Sequence, residues 1–99
     1  MQVEFIARKP EVYISGIGKD QRCCQITVDA RLAKSEGIAA GDRLLTDIQD
    51  YNSGASLFRQ YGYVMACNKS LHIVLDHRDC KRYGLHPGMN VAVEYYRLV

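Results

Sequence analysis

The sequence predicts a mainly β fold, a small closed pseudo-two-fold barrel of about six to seven strands with two short helices. The pattern from Ile26 to Ile48 (ITVDARLAKSEGIAAGDRLLTDI) returns without a gap from Ile73 to Tyr95 (IVLDHRDCKRYGLHPGMNVAVEY), at an offset of 47 residues and with six identities in 23 aligned positions. Each copy begins and ends with a short aliphatic run of the kind that forms strands. We interpret the pattern as an internal duplication whose two halves share one core.

The repeated unit reads as strand, short helix, turn, strand. Asp29 and Asp76 end the first strand of each copy, and aspartate is depleted in strands but common as a helix N-cap. A glycine then closes each helix where left-handed backbone is favoured, and a second glycine makes the following turn. The identical pairs are Ile26/Ile73, Asp29/Asp76, Arg31/Arg78, Lys34/Lys81, Gly37/Gly84 and Gly41/Gly88.

Further strands are predicted before each copy, so each half is a ββαβ unit. Gln2 to Arg8 and Glu11 to Gly18 read as two strands separated at Pro10, the first pairing with the carboxyl-terminal strand. Leu57 to Cys67 reads as a long strand region interrupted at Gly62 and followed by a hairpin turn at 68–70. Extending the 47-residue register backwards aligns three further pairs: Ile14 with Tyr61, Ile17 with Val64, and Arg22 with Lys69.

Length and composition indicate a single domain over residues 1–99, with one half at about 5–51 and the other at about 52–99. A hydrophobic content of 47% is ordinary for a compact domain. No apolar run approaches the roughly 18 residues of a membrane span, and the amino terminus lacks the apolar core of a signal peptide. We therefore expect a cytoplasmic protein with no membrane partner and with its four cysteines as free thiols.

The spacing of aspartate, basic residue and two glycines resembles the repeating element of the cradle-loop barrels. That group includes the AbrB/MazE-like swapped-hairpin DNA-binding proteins, the RIFT barrels and the double-psi barrels. The resemblance covers about 80 of the 99 residues and is carried by Gly37-Ile38 with Gly41-Asp42, and by Gly84-Leu85 with Gly88. It implies the barrel fold, with either a nucleic-acid-binding regulator of AbrB-like type or a non-catalytic RIFT-like or double-psi-like module. AbrB-like proteins commonly have proline at the strand end where this chain has Asp29 and Asp76. An aspartate at this position is more like the RIFT and double-psi barrels.

Basic residues recur in both halves and form the candidate site. Basic residues that are three positions apart on a short helix lie on the same face of that helix. The basic residues of the two halves together could hold phosphates on both strands of double-stranded DNA. The alternative is that these charges only solvate the two helices, and the net charge of +2 does not decide between the two interpretations. The predicted nucleic-acid-binding residues are Lys19, Arg22, Arg31, Lys34, Lys69, Arg78 and Lys81, with Arg82 nearby.

Neither a metal site nor a catalytic site is predicted. The cysteines lack the Cys-x2-4-Cys spacing of structural zinc sites. Asp29 and Asp76 are symmetric, as in an aspartic dyad, but they lack the Asp-Thr/Ser-Gly context, and helix capping is the more ordinary role. We expect a non-enzymatic protein without a cofactor, either a monomer or a homodimer. Its seven tyrosines are read as strand formers or as a surface for a protein partner, the alternative to DNA.

Overall fold

The computed structural model describes residues 2–18 and 23–99. In this part of the chain the elements are β1 (Val3–Ile17), β2 (Cys23–Val28), α1 (Ala30–Glu36), β3 (Arg43–Asp50), β4 (Ser56–Tyr63), β5 (Met65–Cys67), β6 (Ser70–Val74), α2 (His77–Arg82) and β7 (Asn90–Leu98). The strands form one antiparallel half-barrel sheet in the order β4-β3-β7-β1-β2-β6-β5. The predicted mainly β class with two short helices is confirmed.

Local signals at the helix ends act as the sequence predicts. The Asp29 carboxylate accepts a hydrogen bond from the Leu32 N–H at 3.0 Å, and Asp76 caps α2 in the same way. Gly37 ends α1 in the left-handed region at φ +67°. Tyr83 is the C-cap of α2, and the glycine that follows it has φ +69°. Each helix is therefore confined to about two turns by its own cap residues.

β1 is one continuous strand and not the two that the sequence predicts. It runs through Pro10, and its register against β7 shifts between Phe5 and Ala7 and again between Lys9 and Val12. Proline fits there because a bulge leaves a residue out of the ladder, where the missing N–H costs no hydrogen bond. The predicted pairing of the amino-terminal strand with the carboxyl-terminal strand is confirmed.

β4 and β5 are consecutive in sequence although they lie at the two ends of the sheet order. The break between them is at Val64 and not at Gly62, because the Val64 N–H donates to the Asp42 carbonyl at 2.8 Å and its carbonyl accepts from the Gly41 N–H at 2.7 Å. Gly62 is needed for another reason. A Cβ added there would lie 2.9 Å from Cγ2 of Ile73, so the glycine allows β4 to approach β6.

Two cross-strand pairs join residues that are 47 positions apart. Ile26 lies opposite Ile73 between β2 and β6. Asp47 lies opposite Glu94 between β3 and β7. In each of these two ladders one residue is therefore paired with the residue 47 positions later.

The register of the preceding hairpins differs from the prediction. Ile14 donates to the Met89 carbonyl and accepts from the Gly88 N–H, both at 2.9 Å, which repeats the bonding of Val64 with Asp42 and Gly41. Ile14 therefore matches Val64, 50 residues later, and its predicted match with Tyr61 is wrong. The difference of three equals the difference in spacing between the paired strands, since β2 begins six residues after the end of β1 and β6 begins three residues after the end of β5.

The core lies inside the curved sheet and is closed by the two helices. It consists mainly of aliphatic side chains from all strands except β5, with Leu32 and Ala33 of α1 and Cys80 of α2 packed against them. Tyr95 is the largest fully buried side chain. Neither helix has the length and apolar character needed to cross a bilayer, among the residues that the structure describes.

Candidate functional site

The candidate surface is centred on the ladder between β2 and β6. Side chains alternate along both strands: Ile26 and Ile73 point into the core and are fully buried, whereas Thr27 and Val74 are exposed. The Thr27 hydroxyl lies 3.2 Å from Nδ1 of His72 on the neighbouring strand. This alternation gives the ladder an outer face of small polar and apolar groups.

The paired positions of this outer face carry no carboxylate within the described residues, but Asp29 and Glu11 line the cleft that Thr27 and Tyr13 of this face also line. Its members come from β2, β5, β6 and the last part of β1. They are Tyr13, Ser15, Ile17, Cys23, Gln25, Thr27, Met65, Cys67, Ser70, His72 and Val74. The outer face of β3 and β7 instead carries Asp47 and Glu94. A polyanion would therefore meet no like charge at the paired positions of the β2–β6 face, and would meet the carboxylates of Asp29 and Glu11 at its edge.

The predicted basic residues stand on the elements around this face. Arg31 and Lys34 are exposed on α1, and Arg78 and Lys81 are exposed on α2, while the opposite sides of the helices are buried. Lys69 is exposed at the tip of the β5–β6 turn, where φ of +69° helps to form the two-residue hairpin. The predicted residues Lys19 and Arg22 lie outside the described residues.

The structure divides these residues into two groups. Lys69, at the β5–β6 turn, lines a cleft together with Ala30 and Ala33 of α1, so it lies beside the helix that bears Arg31 and Lys34. We name Arg31, Lys34 and Lys69 the α1 cluster, and Arg78 and Lys81 the α2 cluster. Because β2 and β6 run antiparallel and each is followed by a helix, the clusters begin at opposite ends of a ladder of four residue pairs.

The cationic groups of both clusters have no ion-pair partner among the described residues. The ion pairs found there are Lys9 with Asp29, Arg59 with Asp47, and Arg97 with Glu36. The Asp29 carboxylate, which precedes α1, caps that helix, and the hydrogen bond from the Leu32 N–H lowers its pKa, aided by the charges of Lys9 and Arg31. Both clusters can therefore offer their charges to an external anion.

A further cleft, which the sequence did not predict, lies between β1 and β2. It has a volume of about 310 Å³ and is lined in part by Lys9, Tyr13, Thr27, Asp29 and Tyr95. The Tyr95 hydroxyl is buried and has no hydrogen-bond partner among the described residues. The sequence does hold one signal for it, since a tyrosine stands where the first copy has the aliphatic Ile48.

No metal or dyad geometry is present in the described part of the chain. No group of three or more His, Cys, Asp or Glu side chains there could hold a metal ion. Asp29 and Asp76 begin helices at opposite ends of the β2–β6 ladder, and each caps its own helix. Cys23 and Cys67 are exposed thiols, whereas Cys24 and Cys80 are buried.

Comparison with known proteins gives no match to a family model, a curated protein or a solved structure. The likeness to the cradle-loop barrels therefore rests on the repeat motif and stays a prediction.

Proposed function

We propose that the chain is a non-enzymatic nucleic-acid-binding regulator that contacts duplex DNA through the outer face of β2 and β6. The observation that carries this proposal is the combination of ladder positions without a carboxylate and basic side chains near both ends of the ladder, for which the described residues provide no ion-pair partner. Phosphate neutralisation by Lys and Arg supplies most of the affinity of such interfaces. Polar groups between the clusters, such as Gln25 and His72, would be positioned to meet base edges.

We also infer that the chain is an internally duplicated, pseudo-two-fold barrel of the cradle-loop type. The pairing of Ile26 with Ile73 and of Asp47 with Glu94 supports this, because residues related by a two-fold axis meet each other where the axis crosses a ladder. An axis between β2 and β6 would relate the α1 cluster to the α2 cluster. One chain would then offer duplex DNA the symmetry that dimeric regulators use on palindromic sites.

The length of the ladder is comparable to the width of a groove. Its four residue pairs are separated by three intervals and span about 10 Å at roughly 3.3 Å per residue, against a major-groove width of about 12 Å. Basic side chains at both ends of the ladder could therefore contact phosphates on the two sides of one groove.

A protein partner is the second candidate function. It is favoured by Tyr61, Tyr63 and Met65, three large side chains that are 49%, 63% and 54% exposed along β4 and β5. Arg43 stacks over the Tyr61 ring at 5.0 Å from its centroid, a combination common in protein interfaces. Tyr61 and Tyr63 lie on β4, which contributes nothing to the ladder face, so variants at these two tyrosines can separate the two functions.

The test is fluorescence anisotropy of the reduced protein with a pool of labelled duplex DNA at about 50 and 200 mM salt. We expect affinity to fall by orders of magnitude at the higher salt. Lys69→Gln should weaken binding uniformly and reduce the salt slope by about one. Arg43→Gln is the matched control, since it removes one exposed charge outside both clusters and should leave the slope unchanged.

A double variant probes the symmetry of the interface. Arg31→Gln with Arg78→Gln removes one charge from each cluster and should reduce the slope by about two. Absence of binding at about 50 mM salt would refute the proposal, and so would an equal loss in the Arg43 and Lys69 variants. Binding of a protein partner that Tyr61→Ala and Tyr63→Ala abolish would then favour the second function.

A further inference from the structure

The seam between β4 and β6 is bridged by a side chain. The Gln60 amide donates from Nε2 to the Val74 carbonyl at 2.9 Å and accepts from the Asp76 N–H at 2.8 Å. No backbone ladder joins the two strands within the described residues. One planar amide therefore supplies the donor and the acceptor that a neighbouring peptide group would supply in a ladder.

At the matching place in the first half the side chain is a lysine. Lys9 pairs with Val93 on β7 as Gln60 pairs with Thr46 on β3, and Val93 lies 47 residues after Thr46. The Lys9 ammonium lies 4.0 Å from the Asp29 carboxylate. An ammonium donates hydrogen bonds but accepts none, so Lys9 cannot bridge a carbonyl and an N–H as Gln60 does.

The space at this seam is the cleft of about 310 Å³ between β1 and β2. Thr27 and Asp29 line it, and they stand 47 residues before Val74 and Asp76, the two partners of Gln60. Tyr95 also lines the cleft. Its side chain is 0% exposed, and its hydroxyl has no hydrogen-bond partner among the described residues. A buried hydroxyl without a partner is costly, and a polar ligand group would satisfy it.

Tyr13 lines the same cleft and is 59% exposed. An exposed aromatic ring beside hydrogen-bonding groups is a platform on which a flat ligand can stack. The lining thus combines an aromatic surface, a buried hydroxyl and main-chain groups. The counterparts of these main-chain groups, at Val74 and Asp76, bind the Gln60 amide.

We propose that the β1–β2 cleft binds a planar ligand carrying an N–H donor beside a carbonyl acceptor, as in an aromatic carboxamide or a nucleobase edge. The ligand donates to the Thr27 carbonyl, accepts from the Asp29 N–H and contacts the Tyr95 hydroxyl, taking the place that Gln60 holds in the other half. The proposal uses the inferred two-fold correspondence. It does not depend on phosphate binding by the basic clusters.

The test is titration of the ¹⁵N-labelled protein with nicotinamide and, separately, with uridine, followed by amide chemical shifts at about 200 mM salt. For ligands this small we expect dissociation constants on the order of 1 mM. Shifts should concentrate at Thr27, Asp29 and Tyr95. Tighter binding of nicotinamide identifies a carboxamide as the ligand class, and tighter binding of uridine identifies a nucleobase.

Two matched variants decide whether the amide-binding groups are responsible. Lys9→Gln gives the first half the side chain that bridges β4 and β6 in the second half, so it should close the cleft and weaken ligand binding at least about tenfold. The amide spectrum of this variant should remain that of a folded protein. Lys9→Met removes the same charge but cannot bridge the seam, so binding should persist. Tyr95→Phe, which removes only the hydroxyl, should weaken binding about three- to tenfold.

Absence of cleft shifts at about 10 mM probe, or equal binding by the Gln and Met variants of Lys9, would overturn the proposal. DNA anisotropy of the Lys9→Gln variant separates the two proposals. We expect salt-dependent DNA binding to persist when the cleft is sealed, so loss of one activity without the other identifies which proposal has failed.

Discussion

Asp47 on β3 lies directly opposite Glu94 on β7, so two carboxylates form a cross-strand pair in the sheet. Arg59 lies opposite Asp47 on one side, and Arg8 lies opposite Glu94 on the other. The row across four strands is therefore positive, negative, negative, positive. Asp47 is only 3% exposed, and its carboxylate accepts hydrogen bonds from the Ser56 hydroxyl and from the Gln49 side-chain amide. The flanking charges offset the repulsion that two opposed carboxylates would otherwise produce.

The two carboxylates should respond differently to substitution. Asp47→Ala leaves the buried Gln49 amide without its acceptor, also removes the acceptor of the Ser56 hydroxyl, and should lower the free energy of unfolding by about 2–3 kcal/mol. Glu94→Gln keeps an oxygen for the hydrogen bond from Tyr96 and removes the like charge, so it should change that free energy by less than about 0.5 kcal/mol, toward greater stability. Urea unfolding measures both, and equal losses would contradict this account.

Gly62 lies at a close approach between β4 and β6, where an added Cβ would be 2.9 Å from Cγ2 of Ile73. Gly62→Ala places a methyl group against Ile73 and should cost about 1–3 kcal/mol of stability. In a double-mutant cycle, Ile73→Ala should relieve part of that cost, giving less than additive losses. Gly37→Ala is the control: it strains a left-handed residue but meets no atom within 4 Å, so its cost should simply add to that of Ile73→Ala. Additive losses for Gly62 would show that the close contact is unimportant.

The four thiols should separate into two classes. Cys23 and Cys67 are exposed, whereas burial raises the pKa of Cys24 and raises the pKa of Cys80 to about 12. Because the thiolate is the reacting species, an aromatic disulfide reagent should modify two thiols rapidly in the native protein and the other two only after unfolding. Cys23→Ser with Cys67→Ser should abolish the rapid phase. A third rapid thiol would contradict the burial of Cys24 and Cys80.

The parts of the fold that depend on residues close to one another in the sequence could be predicted. The caps at Asp29 and Asp76 and the left-handed turn at Gly37 are of this kind. The continuity of β1 through Pro10 could not, because it depends on a bulge in the pairing with a strand at the far end of the chain. The break at Val64 likewise depends on main-chain bonds to residues 41 and 42.

The candidate site could be predicted in its composition but not in its grouping. The spacing of Arg31 and Lys34 predicted a shared helix face, and both are exposed on α1. The position of Lys69 beside α1 follows from the pairing of β2 with β6, which no local pattern specifies. The cleft at Tyr95 lies where the two aligned segments differ, Tyr95 standing against Ile48, so the identities that define the repeat motif carry no signal for it.

Stability at acid pH should depend on Asp29. The hydrogen bond from the Leu32 N–H, with a smaller effect of Lys9, lowers the pKa of this carboxyl in the folded state. The folded protein therefore binds the proton less readily than the unfolded chain, whose aspartate pKa is about 3.9. The stabilising contribution is complete above that value and is lost as the pH falls through the folded-state pKa. Asp29→Asn keeps the capping oxygen but not the charge, so unfolding midpoints should fall less steeply below about pH 4. Lys9→Met should retain most of the slope because the main-chain hydrogen bond is the larger cause. An unchanged slope in Asp29→Asn would show that this cap does not contribute to the acid dependence.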